Sequence, residues 1–450
     1  MPRGGRLVGA VLRRPVLTVV VVAAVVRLVV AVATFVGDVD VPDEATYLDV
    51  ARRVADGRGA ESYRAGYGQD LYDSRWLFLA PLARLADVFG PSRLPGQLLV
   101  AAAGTAAVAL VALTARRIVP AAGAFAALVA GLVMALLPSQ VLWSSVVLAD
   151  ALVWAAVAAV AWGVMGWCTG QGCRPAAAGV AVAGGLLALG WLRPQTLVIA
   201  AWAVAVAAIV IAWRRWAVMA VGVGLAAVVP LLAGLGVGGV GLVADQAPEV
   251  GQIRTVLSMD AESGLVRPSS DVSLPPELEA RAAQVAEAQK APGLTSQKVG
   301  EVTVEGRRYE VFVDDDARLY LAEVGAGASV RHLPTGVAVA LLRPYPGERV
   351  DSLPSRLGSV ENIGWYVLYG LAVLGLVRAR PSTRRLLVFP IVFAALYVGA
   401  AALSQGNMGT AFRHRGQILW VLALCAAVAL TSHRGVEQGS TGRGRGHSHP

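Results

Sequence analysis

The 450-residue chain contains only three cysteines, five histidines and two lysines, Lys290 and Lys298. So few cysteines exclude a disulfide framework, and the histidines and cysteines together show no zinc-ligand spacing. Charge is scarce too. Charged residues make up 15% of the chain against 56% hydrophobic, and the mean hydropathy is +0.61, a balance that excludes a soluble protein of this size. There is no GxxxxGK[ST] loop, no GxGxxG after a strand and no serine or cysteine nucleophile motif, so no nucleotide cofactor is expected.

What fills the chain instead is long apolar stretches of Ala, Val, Leu and Gly. The net charge of +9 would suggest nucleic acid in a soluble protein. Here the arginines stand in short clusters between apolar spans, where they report membrane orientation and contact with anionic headgroups rather than nucleic acid. Ten spans are expected, over 16–36, 95–115, 119–137, 145–167, 176–192, 194–212, 217–243, 362–379, 386–403 and 417–432, each near the length that crosses a core ~30 Å thick. The first lacks a signal-peptide cleavage site and reads as a retained helix. Trp76–Phe89, interrupted by Arg84 and Asp87, reads as an interfacial or re-entrant helix.

Arg3, Arg6, Arg13 and Arg14 precede the first span, and every even-numbered connection is short and basic. By the positive-inside rule both termini are cytoplasmic in a multi-pass protein of the cytoplasmic membrane. The expected fold is therefore all-α and polytopic with a mixed α/β extracytoplasmic region. Its parts are an N-terminal transmembrane module over 1–243, whose outer loop 37–94 carries chemistry, a subdomain over 244–361, C-terminal helices over 362–432 and a disordered tail over 433–450. Within the subdomain, Pro276–Lys290 predicts an amphipathic helix and the alternation over Val302–Val313 a hairpin. The run Asp314–Asp316 has no EF-hand spacing and reads as a turn.

The polar residues that defy this pattern collect on the outer side. Asp43 and Glu44 open the first outer loop just behind Pro42. They suit the first turn of an interfacial helix running through Val54, or a carboxylate acting as general base or cation ligand beside a phosphate-bearing headgroup. Asp150 lies in an otherwise uncharged run, where a carboxylate faces a cavity or a partner. Arg193, Arg413, His414 and Arg415 stand on the outside against the charge bias, so pairing to a carboxylate or binding phosphate is expected of them. Arg27, deep in the first span, is expected to form an internal ion pair.

In the order of these elements the chain resembles membrane glycosyltransferases of the GT-C superfamily, which use polyprenyl-phosphate-linked sugars. The likeness rests on Asp43-Glu44 with Tyr47, then Asp150, then Arg193-Pro194, then a large outer loop. The ending, with Arg343-Pro344-Tyr345-Pro346, Ser359–Trp365 and Asn407–Arg415, is similar to a bacterial, protein O-mannosyltransferase-like branch. The resemblance implies Asp43 as key carboxylate with Glu44 and Asp150 beside it, and Arg193, Arg413, His414 and Arg415 at the donor phosphate. It also implies Mg²⁺ or Mn²⁺ as a possible cofactor, held by Asp43 and Asp150, and an envelope glycan, lipid or protein as acceptor. A transporter or lipid-linked sugar flippase is the competing reading, and would show midplane polar residues on several helices. A noncatalytic assembly protein is the third.

Overall fold

The computed structural model describes residues 13–37, 41–63, 67–90, 92–169, 175–212, 216–234, 266–268, 275–288, 297–313, 319–323, 333–347, 353–404 and 408–431. Cys173, Asp314–Asp316 and the 433–450 tail lie outside these. The chain divides into two compact units: residues 1–244, 363–395 and 416–450 form the first, and 245–362 with 396–415 form the second.

The first unit begins with helix α1 (Pro15–Val36), α2 (Pro42–Ala55), α3 (Tyr67–Ser74) and α4 (Trp76–Phe89). It continues with α5 (Leu94–Ile118), α6 (Gly123–Leu136) and the short α7 (Pro138–Trp143). Then follow α8 (Asp150–Thr169), α9 (Pro175–Gly190), α10 (Pro194–Ala212) and α11 (Trp216–Gly234). On α1, Val19, Ala23, Arg27, Ala31 and Thr34 are buried while Val21, Val25, Leu28, Val29 and Val32 are exposed. The three- and four-residue spacing of the buried set marks one packed face, and the outward face is as apolar as lipid requires. The packed face meets α5 and α6, and α5 also packs on α8.

Six helices among the described residues are long and apolar enough to cross a membrane: α1, α5, α8, most of α10, and the segments Gly358–Arg378 and Phe412–Thr431. Four further apolar helices, over Pro120–Leu136, Pro175–Gly190, Leu333–Leu342 and Val388–Ala402, are shorter. The chain is thus a helical protein with membrane-spanning elements, and the expected count of ten is met only in part.

The clearest departure lies at 137–149. A continuous span over 145–167 is expected, yet α8 starts only at Asp150. Pro138 disfavours helix at Leu137, which sits at φ −62°, ψ 122° and ends α6. The Ser144 and Ser145 hydroxyls donate back to the carbonyls of Gln140 (2.5 Å) and Val141 (2.7 Å), competing with helix continuation. Ser144 to Ala149 is therefore a buried, non-helical segment, tolerable at membrane depth only where protein surrounds it.

Arg27 closes the end of α6. The expected ion pair is not what the structure places there. The Arg27 guanidinium donates to the carbonyls of Met134 (3.1 Å) and Ala135 (3.5 Å) in the last turn of α6, and to Ala23 (3.4 Å). The final carbonyls of a helix have no partner in the helix itself, and a buried carbonyl without a donor is costly, so the cation serves the α6 terminus instead of a carboxylate. Gly104 on α5 makes the room: a Cβ there would lie 2.8 Å from Arg27 Nε and 2.7 Å from Ser144 Cβ.

The second unit holds strands β1 (Val266–Pro268), β2 (Gln297–Val304), β3 (Arg307–Val313) and β4 (Leu319–Glu323), all paired antiparallel in the order β1-β4-β3-β2. The β2–β3 hairpin spans the predicted alternation and turns at Glu305 (φ 51°) and Gly306 (φ 77°), the two left-handed residues of a type I′ turn. Helix α12 (Pro276–Ala288) covers the sheet with Leu278 and Ala282, against Val299, Val313 and Leu319. Three helices follow in the chain, α13 (Leu333–Leu342), α14 (Leu353–Arg378) and α15 (Pro381–Leu386). The last three are α16 (Val388–Ser404), α17 (Met408–Arg415) and α18 (Leu419–Thr431). Residues of α14 and α16 belong to both units, and α18 packs on α6 within the first.

Arg27→Met should lower the melting temperature of the protein in micelles, at roughly 1–3 kcal/mol for each buried carbonyl left without a donor. Arg27→Lys should recover only part of it, because a point ammonium lacks the planar fork. Unchanged melting of Arg27→Met would remove the capping role.

Candidate functional site

The acidic pair of the segment between α1 and α5 sits on α2, which starts at Pro42 as expected, with Asp43 and Glu44 in its first turn. Successive residues on a helix point about 100° apart, so the two carboxylates cannot share a face. Glu44 is buried and Asp43 exposed. Glu44 shares its inward face with Tyr47, Val50 and Ala51. Tyr47 makes an edge-on contact with Phe78 of α4, 5.4 Å between ring centroids, and lies beneath the Arg75 guanidinium. Glu44 Oε1 accepts a hydrogen bond of 3.1 Å from the Val147 N–H, tying α2 to the non-helical segment three residues before Asp150.

Asp150 opens α8, fully buried, and Arg193 closes the Trp191–Arg193 turn ahead of α10, 5% exposed. Arg193 Nη2 stands 3.2 Å from Asp150 Oδ1, the carboxylate pairing that is one of the two roles expected of this arginine. A buried pair of this kind is held by mutual need: each charge has left water, and removing either strands the other. Only the Nη2 group meets Asp150, as an ion pair rather than an aligned hydrogen bond. The Arg193 Nε and Nη1 atoms are buried with no hydrogen-bond partner among the described residues.

One helical turn farther along these same helices lies a polar cluster that sequence reading missed. Trp154 is four residues past Asp150, and Thr196 is three past Arg193. The Thr196 hydroxyl donates to Gln417 Oε1 at 3.0 Å, and Gln417 sits in the tight turn Gly416–Ile418 before α18. Gly416 lies against the side chains of Gln140 and Trp154, so closely that a Cβ would overlap Gln140 Nε2. Gln140, Thr196 and Gln417 are all buried. Both amide atoms of Gln140, Gln417 Nε2 and Trp154 Nε1 have no hydrogen-bond partner among the described residues. Buried polar groups are otherwise nearly always paired. Counted with Arg193, the unpartnered atoms are donors apart from Gln140 Oε1, so the cluster is suited to a ligand rich in acceptor oxygens. The signal was a lone glutamine inside an apolar run, as in Pro138-Ser-Gln-Val-Leu142.

Arg413, His414 and Arg415 belong to the second unit, in α17. Arg415 is buried and its groups are used within the protein: Nη2 donates to Asn362 Oδ1 (2.6 Å), Nη1 to the Leu341 carbonyl (2.5 Å), and the guanidinium lies 4.7 Å from the Phe412 ring centroid. Asn362 in turn donates to the carbonyls of Leu342 (3.2 Å) and Pro344. Together they satisfy the carbonyl end of α13, so Nη1 and Nη2 of Arg415 have a structural use within the second unit. Arg413 and His414 are half-buried beside it.

The residues do not fit the divalent cation implied by the glycosyltransferase resemblance. Asp43 is exposed on its helix, and Asp150 is neutralised by Arg193 at 3.2 Å. A cation at Asp150 would displace or repel that guanidinium. No group of three His, Cys, Asp or Glu among the described residues is arranged to hold a metal.

No known protein family, curated protein or solved structure matches this chain.

Asp150→Asn and Arg193→Gln should each destabilise the protein by about 3–5 kcal/mol, the cost of stranding a buried charge. The double variant should lose less than the sum of the two, as measured by thermal unfolding in micelles. Additive losses would show that the two side chains do not depend on each other.

Proposed function

We propose that the protein transfers a sugar from a polyprenyl-phosphate-linked donor to an acceptor hydroxyl of the envelope, at the non-cytoplasmic face of the cytoplasmic membrane. The observation that carries this reading is the buried Arg193, with Nη2 on Asp150 and Nε and Nη1 unpartnered among the described residues, beside a donor-rich polar cluster. A sugar phosphate is dense in acceptor oxygens, and its phosphate needs cationic donors as it departs.

In this reading Asp43 is the general base. It removes the proton of the acceptor hydroxyl as that oxygen bonds to the anomeric carbon. The bond from that carbon to the phosphate oxygen breaks, and the departing lipid phosphate carries the electron pair to Arg193. Glu44 is a positioning residue that fixes α2 through Val147, and Asp150 holds the guanidinium in place. The lipid phosphate is already a competent leaving group, so positioning and electrostatics supply the catalysis, and no metal step is invoked.

A cavity of about 580 Å³ between α2, α3 and α4 supports a lipid substrate on this side. Val54, Leu77, Ala80 and Pro81 make it apolar, while Arg84 and Asp87 supply charge at its lining. The flippase alternative needs polar groups within the bundle for cargo. Arg27 is already engaged by three carbonyls, whereas the amide atoms of Gln140 and Gln417 without a partner among the described residues, beside the break before α8, are the groups that reading would use. The topology belonging to this proposal is ten crossings by α1, α5, α6, α8, α9, α10, α11, α14, α16 and α18, with both termini in the cytoplasm.

With a labelled polyprenyl-phosphate sugar and membranes holding the full chain, Asp43→Asn should cut transfer by at least a hundredfold, within the range of general-base contributions, roughly 10²–10⁴. The variant's melting temperature, measured alongside, separates lost chemistry from lost folding. Undiminished transfer by Asp43→Asn would sink its assignment as base, and a wild-type protein that transfers none of several lipid-phosphate sugars would sink the proposal itself.

A further inference from the structure

Helices α5, α8 and α10 each run from the candidate site to a second cavity at the opposite end of the bundle. Asp150 begins α8, whose last residues, Cys168 and Thr169, line this cavity; Arg193 precedes α10, whose Ile211 lines it; and α5 ends there with Arg117 and Ile118. At ~1.5 Å per residue, the 20 residues of α8 separate the two sites by about a membrane core. The cavity has a volume of about 1090 Å³ and lies wholly within the first unit.

Its lining is one-sided in charge. Arg117, Arg378, Arg380 and Arg385 are among its lining, and among the described residues no aspartate or glutamate lines it. Four positive charges around one opening repel one another unless an anion shares them. Arg117 is held in place: its Nη1 donates to the Trp162 carbonyl at 2.7 Å, and its guanidinium stacks 4.1 Å above the Trp162 ring. Arg384, on the same short helix as Arg385, turns instead to the carbonyls of Leu376 (3.1 Å) and Val377 (2.7 Å). The cluster therefore divides into arginines spent on backbone and arginines facing the opening. Ser382 and Thr383 add hydroxyls, while the Thr431 hydroxyl is spent on the Ala427 carbonyl (2.7 Å), and Phe125, Ile211 and Val428 form an apolar part of the same lining. Cationic and hydroxyl donors beside an apolar wall at a helix-bundle end match the phosphate headgroup and upper acyl chain of an anionic phospholipid.

We infer that this cavity is a binding site for an anionic phospholipid, on the face that the charge bias assigns to the cytoplasm. The inference does not depend on the glycosyl-transfer reading. A soluble phosphate ester shares the headgroup chemistry but would leave the apolar wall unused.

Full-length protein in phosphatidylcholine nanodiscs, titrated with phosphatidylglycerol, tests it by melting temperature and by native mass spectrometry of retained lipid. Wild type should gain thermal stability and retain phosphatidylglycerol, and Arg378→Gln/Arg380→Gln/Arg385→Gln should bind it on the order of a hundredfold more weakly. Ser382→Glu, which changes no arginine, should weaken it in the same direction. If the triple variant fails to fold in phosphatidylcholine alone, Ser382→Glu carries the test by itself. Equal stabilisation of wild type and Ser382→Glu, or equal retention of phosphatidylcholine and phosphatidylglycerol, would overturn the site. Inorganic phosphate or glycerol phosphate reproducing the full effect would overturn the lipid as its occupant.

Discussion

Backbone carbonyls at the ends of buried helices have no donors in their own helix, and a water-free interior supplies none. The architecture of this protein depends on how that need is met. Arg27 serves the buried end of α6 and Arg415 with Asn362 the end of α13; at an exposed end, where water competes, Arg384 reaches the last carbonyls of α14. Arg93 does the same for α1, donating to the carbonyls of Thr34 (2.6 Å) and Phe35 (3.0 Å). A guanidinium suits the task because its planar fork can reach two carbonyls at once and stays charged. With only two lysines in the chain, arginine carries this role almost alone.

Against that pattern, Arg193 stands apart. It faces a carboxylate rather than a helix end, and two of its buried donors, Nε and Nη1, have no hydrogen-bond partner among the described residues, against one, Nε, on Arg27. The neighbouring polar groups, Gln140, Trp154, Thr196 and Gln417, come from three helices and a turn, and no helix terminus accounts for them. A buried polar cluster that the fold does not use for its own backbone lowers stability, and function is the general reason such groups persist.

Much of the fold was legible in the sequence. The helix over Pro42–Ala55, the short helix over Trp76–Phe89 and the hairpin within Gln297–Val313 follow from capping, length and alternation, which are local signals. Asp150 and Arg193 stood out because each is a charge where the surrounding pattern forbids one. The break at Ser144–Ala149 was hidden, since its residues are as apolar as a span and the signal was only Pro138 with two serines. The division of labour between Asp43 and Glu44 was also invisible. Sequence places them side by side, and only the packing of Tyr47 against α4 decides which one turns inward. The partners of Arg27 and Arg415 were hidden for a common reason: sequence shows a cation but not the helix end it serves.

The bundle that results has two chemically distinct ends, an acidic and donor-rich one around Asp150 and Arg193 and an arginine-lined one around Arg378 and Arg385. The claim on which the functional account rests is that the first faces outward and the second inward. In a background without native cysteines, Asp43→Cys and Ser382→Cys can be tested with a membrane-impermeant maleimide on intact and on permeabilised cells. The account predicts that the cysteine at 43 is labelled in intact cells and the one at 382 only after permeabilisation. Labelling of both from the same side, or the reverse order, would contradict it.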